Sequence, residues 1–300
     1  LATLDGMGGA IAAIEYMKAR LVEANGERLA RIEAKETVVV GVNRWTEGEP
    51  SPLVAGTDAI LTVDPGVESG QIARLTEWRA NRDAAAVSVA LARLKAAARN
   101  GDNIMPASIE AARAGVTTGE WAGVMRAVHG EYRGPTGVAR SPSNRTEGLD
   151  DIRAAVEAVS ARLGRRLSFV VGKPGLDGHS NGAEQIAARA RDCGMEITYD
   201  GIRLTPEAIV AAAVDRQAHV VGLSILSGSH LPLIAEVMER MAAAGLSHVP
   251  VVVGGIIPDE DAARLRDMGV ARVYTPKDFE LNRIMADIVA LAGPAPLAAE

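Results

Sequence analysis

Strand-like and helix-like patterns alternate five times in the second half of the chain. Apolar runs of the kind found in parallel strands that are covered on both faces lie at 167–172, 196–199, 220–225, 249–253 and 272–274. Amphipathic helices are predicted between and after them, near 182–193, 205–217, 230–245, 259–268 and 278–292. A further helix is predicted at 151–163, before the first strand. This alternation predicts an α/β domain over residues 151–300, built on a flavodoxin-like, doubly wound sheet of five parallel strands in the order 2-1-3-4-5.

The first half of the chain is predicted to be mainly helical. Apolar residues recur at helical spacing in four segments, 8–24, 69–99, 104–114 and 118–128. A β-branched run at 37–42 and an extended stretch at 48–70, rich in Pro, Gly and acids, separate the first two of them. Turn-forming residues without an apolar pattern fill 134–150. The predicted organisation is a helical region over 1–133, a linker over 134–150 and the α/β domain.

Charge and composition exclude several classes of function. The formal net charge is -6 with acids and bases interspersed, so the chain lacks the basic stripe of a nucleic-acid binder. No apolar run approaches the roughly 18 residues that span a bilayer, and no signal peptide is visible. The single cysteine, Cys193, cannot form an intramolecular disulfide and fits a reducing compartment. We therefore expect a soluble cytoplasmic protein without nucleic-acid or membrane partners.

One unusually long loop in the predicted sheet domain carries titratable residues. Ligands of doubly wound sheets bind beyond the carboxyl ends of the strands where the strand order reverses, which is between the first and third strands in this order. The loop after the first strand, 172–182, has eleven residues, whereas most strand–helix connections have about two to six. Within it, Asp177 is placed to orient the imidazole of His179 and fix its tautomer, which leaves the other ring nitrogen for a metal. Lys173 is placed to add a charge-assisted contact to Asp177.

The surroundings of His179 favour a metal that arrives inside a cofactor. One imidazole without a second His, Cys or acid at ligand spacing makes a poor zinc site, whereas a corrinoid or haem supplies the other ligands itself. The neighbouring loops have small side chains, since 224–229 after the third strand is rich in hydroxyls and Gly254-Gly255 follows the fourth strand. These loops leave room for a large ligand. A solvated or helix-capping histidine is the alternative interpretation.

Three short motifs resemble those of cobalamin-binding domains in which a protein histidine replaces the cofactor's own base on cobalt. Residues 177–182 fit the D-x-H-x-x-G signature of these domains, 224–226 fit their S-x-L element, and Gly254-Gly255 fit their double glycine. The resemblance implies that His179 binds cobalt, that Asp177 holds its other nitrogen and that Lys173 supports Asp177. It also implies a pocket for the displaced dimethylbenzimidazole tail. The predicted cofactor-binding residues are Lys173, Asp177, Gly178, His179, Ser180, Gly182, Ser224, Leu226, Gly254, Gly255 and Thr275.

Some of these assignments have alternatives. Ser224 alone is equally explained as a strand-end hydroxyl that satisfies backbone groups, and Gly254 as a turn glycine. After the fifth strand, 274–278 departs from the Gly-Pro-Gly-Thr-like turn that the resemblance leads one to expect near the nucleotide. Thr275, through its hydroxyl or its backbone, is the candidate at that position.

The first 133 residues resemble the end of the catalytic barrel and the linker of adenosylcobalamin-dependent acyl-CoA mutases. The stretches that carry this resemblance are Gly8-Gly9, 37–43, Gln71, Arg79, Arg82-Asp83, Asn103-Ile104-Met105 and Gly119-Glu120. Within that family, 41–46 and 224–232 are most similar to ethylmalonyl-CoA mutases. The resemblance implies a radical isomerase that uses adenosylcobalamin to convert ethylmalonyl-CoA to methylsuccinyl-CoA, in a homodimer whose barrel binds the acyl-CoA. Because the sequence opens at Leu1 within a predicted element, we expect a piece of a longer polypeptide that binds cobalamin but is inactive alone.

Other functions stay open at this point. Methylmalonyl-CoA is the alternative substrate, and a corrinoid methyltransferase carrier module is the alternative class of protein. The extended stretch at 48–70 speaks against the compact helical cap of such carriers. A phosphoacceptor receiver domain is disfavoured because the third strand ends near Ser224 instead of an aspartate. An unliganded regulatory domain is disfavoured because His179 is present.

No residue of the chain is predicted to be catalytic. Glu120, Arg82 and Asn43 are polar residues that attract attention. They are interpreted as a helix-start carboxylate, a surface ion-pair partner and a turn former, respectively. The predicted chemistry of the chain is therefore confined to the cofactor site.

Overall fold

Five parallel strands form a sheet in the order β2-β1-β3-β4-β5, which confirms the predicted fold class and strand order. A computed structural model describes residues 1–47, 64–139 and 148–293. The strands are β1 Ser168–Gly172, β2 Glu196–Thr198, β3 Val220–Ile225, β4 Val251–Gly255 and β5 Arg272–Tyr274. Their register places Gly172 beside Leu223, and Ser224 beside Gly254. The carboxyl ends of β1, β3 and β4 therefore meet at one edge of the sheet.

Helices make up most of the remaining described residues. In chain order they are α1 Ala2–Gly6, α2 Ile14–Glu33, α3 Pro65–Asn81, α4 Ala84–Asn100, α5 Ile104–Arg113, α6 Thr118–His129, α7 Leu149–Leu163, α8 Asn181–Asp192, α9 Pro206–Asp215, α10 His230–Ala243, α11 Asp259–Asp267 and α12 Leu281–Ala292. The described chain folds into two compact units. The first contains 1–47, 134–139 and 148–293, and the second contains 64–133. The predicted domain boundaries stay a prediction.

Each face of the sheet has its own apolar core. Phe169 and Val171 of β1 pack on one side with α7, α8 and α12, whereas Val170 packs on the other side with α9, α10 and α11. Successive residues of β1 thus face opposite cores, as expected for a strand that is covered on both faces. Cys193, at the end of α8, is buried in the first core and fills it as a small apolar side chain, as predicted.

The fourth strand lies two residues later than predicted. The apolar run predicted a strand at 249–253 with Gly254-Gly255 after it, but both glycines belong to β4. They continue the ladder with β3, since Gly254 pairs with Ser224 and Gly255 pairs with Ile225. An apolar pattern does not reveal where a strand ends when its last residues are glycines.

The long helix α2 belongs to the same compact unit as the sheet and packs against α8. A helix was predicted from 8 to 24, but α2 begins at Ile14 and continues to Glu33. Gly8 and Gly9 interrupt the helix because their φ angles are +94° and +90°, a region that glycine enters at little steric cost.

The second unit contains the four helices α3 to α6. The single helix predicted at 69–99 is two helices, because Arg82 is extended and the carboxylate of Asp83 caps the start of α4 by accepting hydrogen bonds from Ala85 and Ala86. The two helices predicted after it, near 104–114 and 118–128, are present as α5 and α6.

Helix α3 also begins earlier than predicted. Asp64 caps it, and Pro65 occupies the first turn, where proline is favoured. The predicted extended stretch therefore does not reach residue 70, and its part from 48 to 63 lies outside the described residues. In the predicted linker, 140–147 also lies outside them, and α7 begins at Leu149. None of the helices in the described ranges is long and apolar enough to span a membrane.

Candidate functional site

The loop after β1 is fixed at its base by backbone hydrogen bonds to the segment that follows β2. The Leu204 N–H donates to the carbonyl of Lys173, and the Gly175 N–H donates to the carbonyl of Leu204, each at 3.0 Å. The loop then passes the carboxyl end of β3 and ends where α8 begins at Asn181. This is the switch point at which ligands of doubly wound sheets bind.

A buried ion pair lies under this loop. The Lys173 Nζ donates to Asp177 Oδ2 at 2.9 Å and to the carbonyl of Ser224 at 3.0 Å. The two charged side chains are 0% and 2% exposed. The expected contact between Lys173 and Asp177 is therefore present, and it ties the loop to the end of β3.

The carboxylate of Asp177 accepts hydrogen bonds from three further donors. They are the backbone N–H groups of Leu226, at 2.9 Å, and His179, at 3.0 Å, and the Nδ1 of His179, at 2.6 Å. Burial alone raises the pKa of Asp177, but the donors from His179, Leu226 and Lys173 together hold that pKa well below its usual range. Asp177 is consequently an acceptor-only carboxylate at neutral pH.

The imidazole of His179 is held at one nitrogen and open at the other. Because an ionised Asp177 can only accept, the proton of the neutral imidazole lies on Nδ1. The side chain of His179 is 75% exposed, so the lone pair of Nε2 is available to a metal. In the described part of the chain, no cluster of three or more His, Cys, Asp or Glu side chains could hold a metal ion by itself. The donor set therefore fits a metal that brings its other ligands with it.

An apolar cavity of about 410 Å³ opens beside this loop. Ser224 and Leu226 connect the two features, because both line the cavity while their backbone groups bond to Lys173 and Asp177. Predicted site residues that line the cavity are Gly182, Ser224, Leu226, Gly254, Gly255 and Thr275. The remaining predicted residues, Lys173, Asp177, Gly178, His179 and Ser180, form the loop beside it.

The two glycines at the end of β4 have different surroundings. A Cβ added to Gly254 meets no atom within 4 Å, so the space in front of this residue is open cavity. A Cβ added to Gly255 comes within 1.8 Å of the backbone oxygen of Ile225. Gly255 is therefore required for the close approach of β3 and β4, and the missing side chain at Gly254 keeps this part of the cavity open. The interpretation of Gly254 as a turn glycine is wrong, because it lies within the strand.

Two predicted site residues, Thr275 and Ser180, have few polar contacts. Thr275 lines the cavity, but its N–H and hydroxyl donate to Asp278 at 2.8 and 3.3 Å, which closes a tight turn after β5. Ser180 precedes α8 without forming a side-chain cap.

The sequence did not reveal several residues of the cavity. Asn25, Arg28 and Leu29 line it from α2, which was assigned to the separate helical region. Their spacing of three and four residues is that of one helix face, but no sequence signal shows which surface that face covers. The backbone N–H of Leu226 was likewise not recognised as a donor to Asp177.

The three polar residues that were interpreted as structural, Glu120, Arg82 and Asn43, form hydrogen bonds that stabilise local structure. Glu120 forms a capping box with Thr117 at the start of α6 and pairs with Arg82 at 2.5 and 2.7 Å. The hydrogen bond from Arg82, followed by that from the Thr117 N–H, holds the pKa of Glu120 well below its usual range. The Arg82 side chain is only 14% exposed, so it is more buried than a surface partner. Asn43 bonds to backbone groups at 32, 37 and 39 and closes a turn.

Two models of known protein families match parts of the chain. Residues 1–131 match the family model of methylmalonyl-CoA mutase, and residues 167–279 match that of the B12 binding domain. The chain belongs to the methylmalonyl-CoA mutase family. The sheet unit, with its cavity and its exposed histidine, contains the cobalamin-binding domain of this family member.

Individual relatives resemble the chain over most or all of its length. The chain is 71% identical, over its whole length, to the ethylmalonyl-CoA mutase of Cereibacter sphaeroides and 57% identical over 94% of its length to that of Methylorubrum extorquens. It is 34% identical over 91% of its length to the methylmalonyl-CoA mutase of C. sphaeroides. A crystal structure of a cobalamin-binding protein from Desulfitobacterium hafniense matches 75% of this chain and 99% of that one, with 19% identity and a TM-score of 0.37. The chain spans 46% and 41% of the two ethylmalonyl-CoA mutases, which is less than half of their length.

Proposed function

We propose that this chain is the cobalamin-binding part of an adenosylcobalamin-dependent mutase that isomerises ethylmalonyl-CoA to methylsuccinyl-CoA. The observation that carries the proposal is the imidazole of His179, fixed at Nδ1 by buried Asp177 and exposed at Nε2 beside an apolar cavity. In this proposal, His179 Nε2 would bind the cobalt, and the cavity would hold the dimethylbenzimidazole tail of the cofactor.

The residues of the chain have distinct tasks in this site. Asp177 retains the Nδ1 proton and thereby leaves the Nε2 lone pair free to bind a metal. Lys173 fixes the position of Asp177 through the buried ion pair between them. Ser224 and Gly254 border the space for the tail. Held by these residues, the cofactor would supply the radical chemistry of a carbon-skeleton rearrangement.

The assignment of the substrate rests on a comparison within one organism. C. sphaeroides has both mutases, and the chain is 71% identical to its ethylmalonyl-CoA mutase but 34% identical to its methylmalonyl-CoA mutase. Residues of a shared cofactor site do not account for a difference of this size over nearly the whole chain. We therefore assign ethylmalonyl-CoA as the substrate, bound by a barrel formed largely outside this chain, in a homodimer. The match of residues 1–131 to a mutase disfavours a corrinoid methyltransferase carrier.

The cofactor role is tested with the whole protein, purified without cofactor. We expect the visible absorption spectrum of hydroxocobalamin to change on titration. In the reduced Co(II) state, labelling the histidines with ¹⁵N should convert the nitrogen splitting of the EPR spectrum from a triplet to a doublet. His179→Ala should abolish this label-dependent splitting, whereas His248→Ala, at an exposed histidine outside the site, should keep it. A nitrogen splitting that does not change with the ¹⁵N label would refute His179 as the ligand of cobalt.

The substrate is tested separately with adenosylcobalamin and the two acyl-CoA esters. The wild-type protein should convert ethylmalonyl-CoA with the higher kcat/KM. Preference for methylmalonyl-CoA would contradict the substrate assignment while leaving the cobalt ligand in place. The two experiments therefore report on different parts of the proposal.

A further inference from the structure

One wall of the cavity comes from α2, outside the matched B12 binding domain. Asn25, Arg28 and Leu29 lie on one face of this helix and line the cavity opposite residues of the sheet domain. The helix lies within residues 1–131, which match the mutase model. The cofactor cavity is thus completed by a segment that belongs to a different region of the sequence.

Helix α2 is held against the sheet domain by several polar contacts. Lys18 pairs with Glu184 of α8 at 2.6 Å, and the Glu184 side chain is 4% exposed. Buried Gln185 donates to the carbonyl of Val22 at 3.0 Å. At the other end of α2, Glu33 accepts from the Leu281 N–H at 2.8 Å. These contacts lie on both sides of residues 25–29, so they hold this part of α2 against the sheet domain.

Arg28 is the one cation among the described residues that line the cavity. The one acidic lining residue, Asp278, accepts two hydrogen bonds from Thr275. No ion pair or side-chain hydrogen bond joins Arg28 to another residue of the described ranges, and its side chain is exposed. An exposed guanidinium that lines a mainly apolar cavity is suited to an anionic group of the ligand that enters it.

We propose that Arg28 binds the phosphodiester of the cobalamin nucleotide tail, which makes α2 a part of the cofactor site. This inference rests on the proposed function. The nucleotide tail of cobalamin contains one anionic group, the phosphodiester between the aminopropanol and the ribose, and its benzimidazole is apolar. The cavity offers one cation and apolar walls, so both parts of the tail have a matching surface. Arginine is the side chain best suited to phosphate oxygens because its planar fork donates two parallel hydrogen bonds.

The test compares two corrinoids that differ in the tail. Cobalamin carries the phosphodiester and the base, whereas cobinamide lacks both. In the whole protein, Arg28→Gln should weaken cobalamin binding about tenfold, the loss typical of one charge-assisted hydrogen bond, and leave cobinamide binding unchanged. Arg31→Gln removes an exposed arginine of the same helix that does not line the cavity, and it should affect neither ligand. Dissociation constants come from absorption or calorimetric titrations.

The outcomes separate this inference from the proposed function. The role of Arg28 is overturned if Arg28→Gln binds cobalamin as tightly as the wild type does, or if it loses the same affinity for cobalamin and for cobinamide. In either case the proposed function still stands, provided that the histidine-derived splitting in the EPR spectrum persists. Failure of the wild-type protein to bind cobalamin overturns the proposed function, and the role of Arg28 with it. A larger loss in Arg28→Glu than in Arg28→Gln, for cobalamin alone, supports an anionic partner.

Discussion

The Nζ of Lys173 lies 2.9 Å from Oδ2 of Asp177, and the two side chains are 0% and 2% exposed. Such a pair is costly to bury, and it is tolerated only when each partner is fully hydrogen-bonded. The Ser224 carbonyl accepts from Lys173, and the Leu226 N–H donates to Asp177. The pair therefore joins the loops after β1 and β3 at the point where the cofactor is proposed to bind.

Removal of the lysine charge should destabilise the protein strongly. Lys173→Met leaves the buried carboxylate of Asp177 without its countercharge, and we expect the free energy of unfolding to fall by about 3–5 kcal/mol. Urea denaturation of the apoprotein, followed by circular dichroism, measures this change. Lys277→Met, at an exposed lysine after β5, serves as the control and should change the stability by less than about 0.5 kcal/mol.

The double variant Lys173→Met/Asp177→Asn distinguishes a buried pair from simple loss of packing. Because both charges are then absent, it should be more stable than Lys173→Met alone. If the double variant is the less stable of the two, the countercharge is not what Lys173 contributes.

The sheet domain was largely predictable from the sequence because its signals are local. Continuous apolar strands and amphipathic helices follow one another, and the strand order and most element bounds agree with the prediction. The link between Asp177 and His179 was also predictable, since a spacing of two residues allows the hydrogen bonds that are present. Glycine-rich ends were not predictable in the same way, as the true end of β4 at Gly255 shows.

Contacts between distant segments were not predictable. The placement of α2 against α8 depends on Lys18 and Glu184, which are 166 residues apart in sequence. A charged residue on an amphipathic helix gives no sign of whether it faces solvent or a buried partner. For the same reason, the prediction of the cavity omitted Arg28 and its neighbours on α2.

The single cysteine provides a probe of folding and of alkaline stability. Burial raises the pKa of Cys193 to about 11, whereas a thiol in an unfolded chain has a pKa of about 8.5. The folded state thus holds its proton more tightly, and the stability it contributes is present below pH ~8.5 and is lost as pH rises toward about 11. Between these values the free energy of unfolding should fall more steeply with pH in the wild type than in Cys193→Ala, by at most about 1.4 kcal/mol per pH unit.

The thiol of Cys193 should not react with thiol reagents while the protein is folded. At pH 8, a disulfide reagent such as DTNB should react with Cys193 only after denaturant is added, because the side chain is 1% exposed. Rapid stoichiometric reaction of the native protein would show that α8 opens locally on the time scale of the assay. Equal pH slopes for the wild type and Cys193→Ala would contradict the raised pKa.

Adjacent glycines of β4 should respond differently to substitution. Gly255→Ala places a methyl group against the Ile225 backbone oxygen, where neither atom belongs to a flexible side chain, so β3 and β4 must separate. We expect a loss of stability of about 2 kcal/mol or more. Gly254→Ala meets open space and should change the stability by less than about 1 kcal/mol. The denaturation midpoint of each apoprotein tests this contrast.

Substitution of Gly254 should affect cobalamin affinity more than it affects stability. A larger side chain there, as in Gly254→Leu, projects into the cavity proposed for the benzimidazole tail, so the folded variant should bind cobalamin at least about tenfold more weakly. Binding of cobinamide, which has no tail, should be unaffected. If Gly254→Leu binds cobalamin as the wild type does, the tail does not occupy the space in front of Gly254, and the cavity has another use.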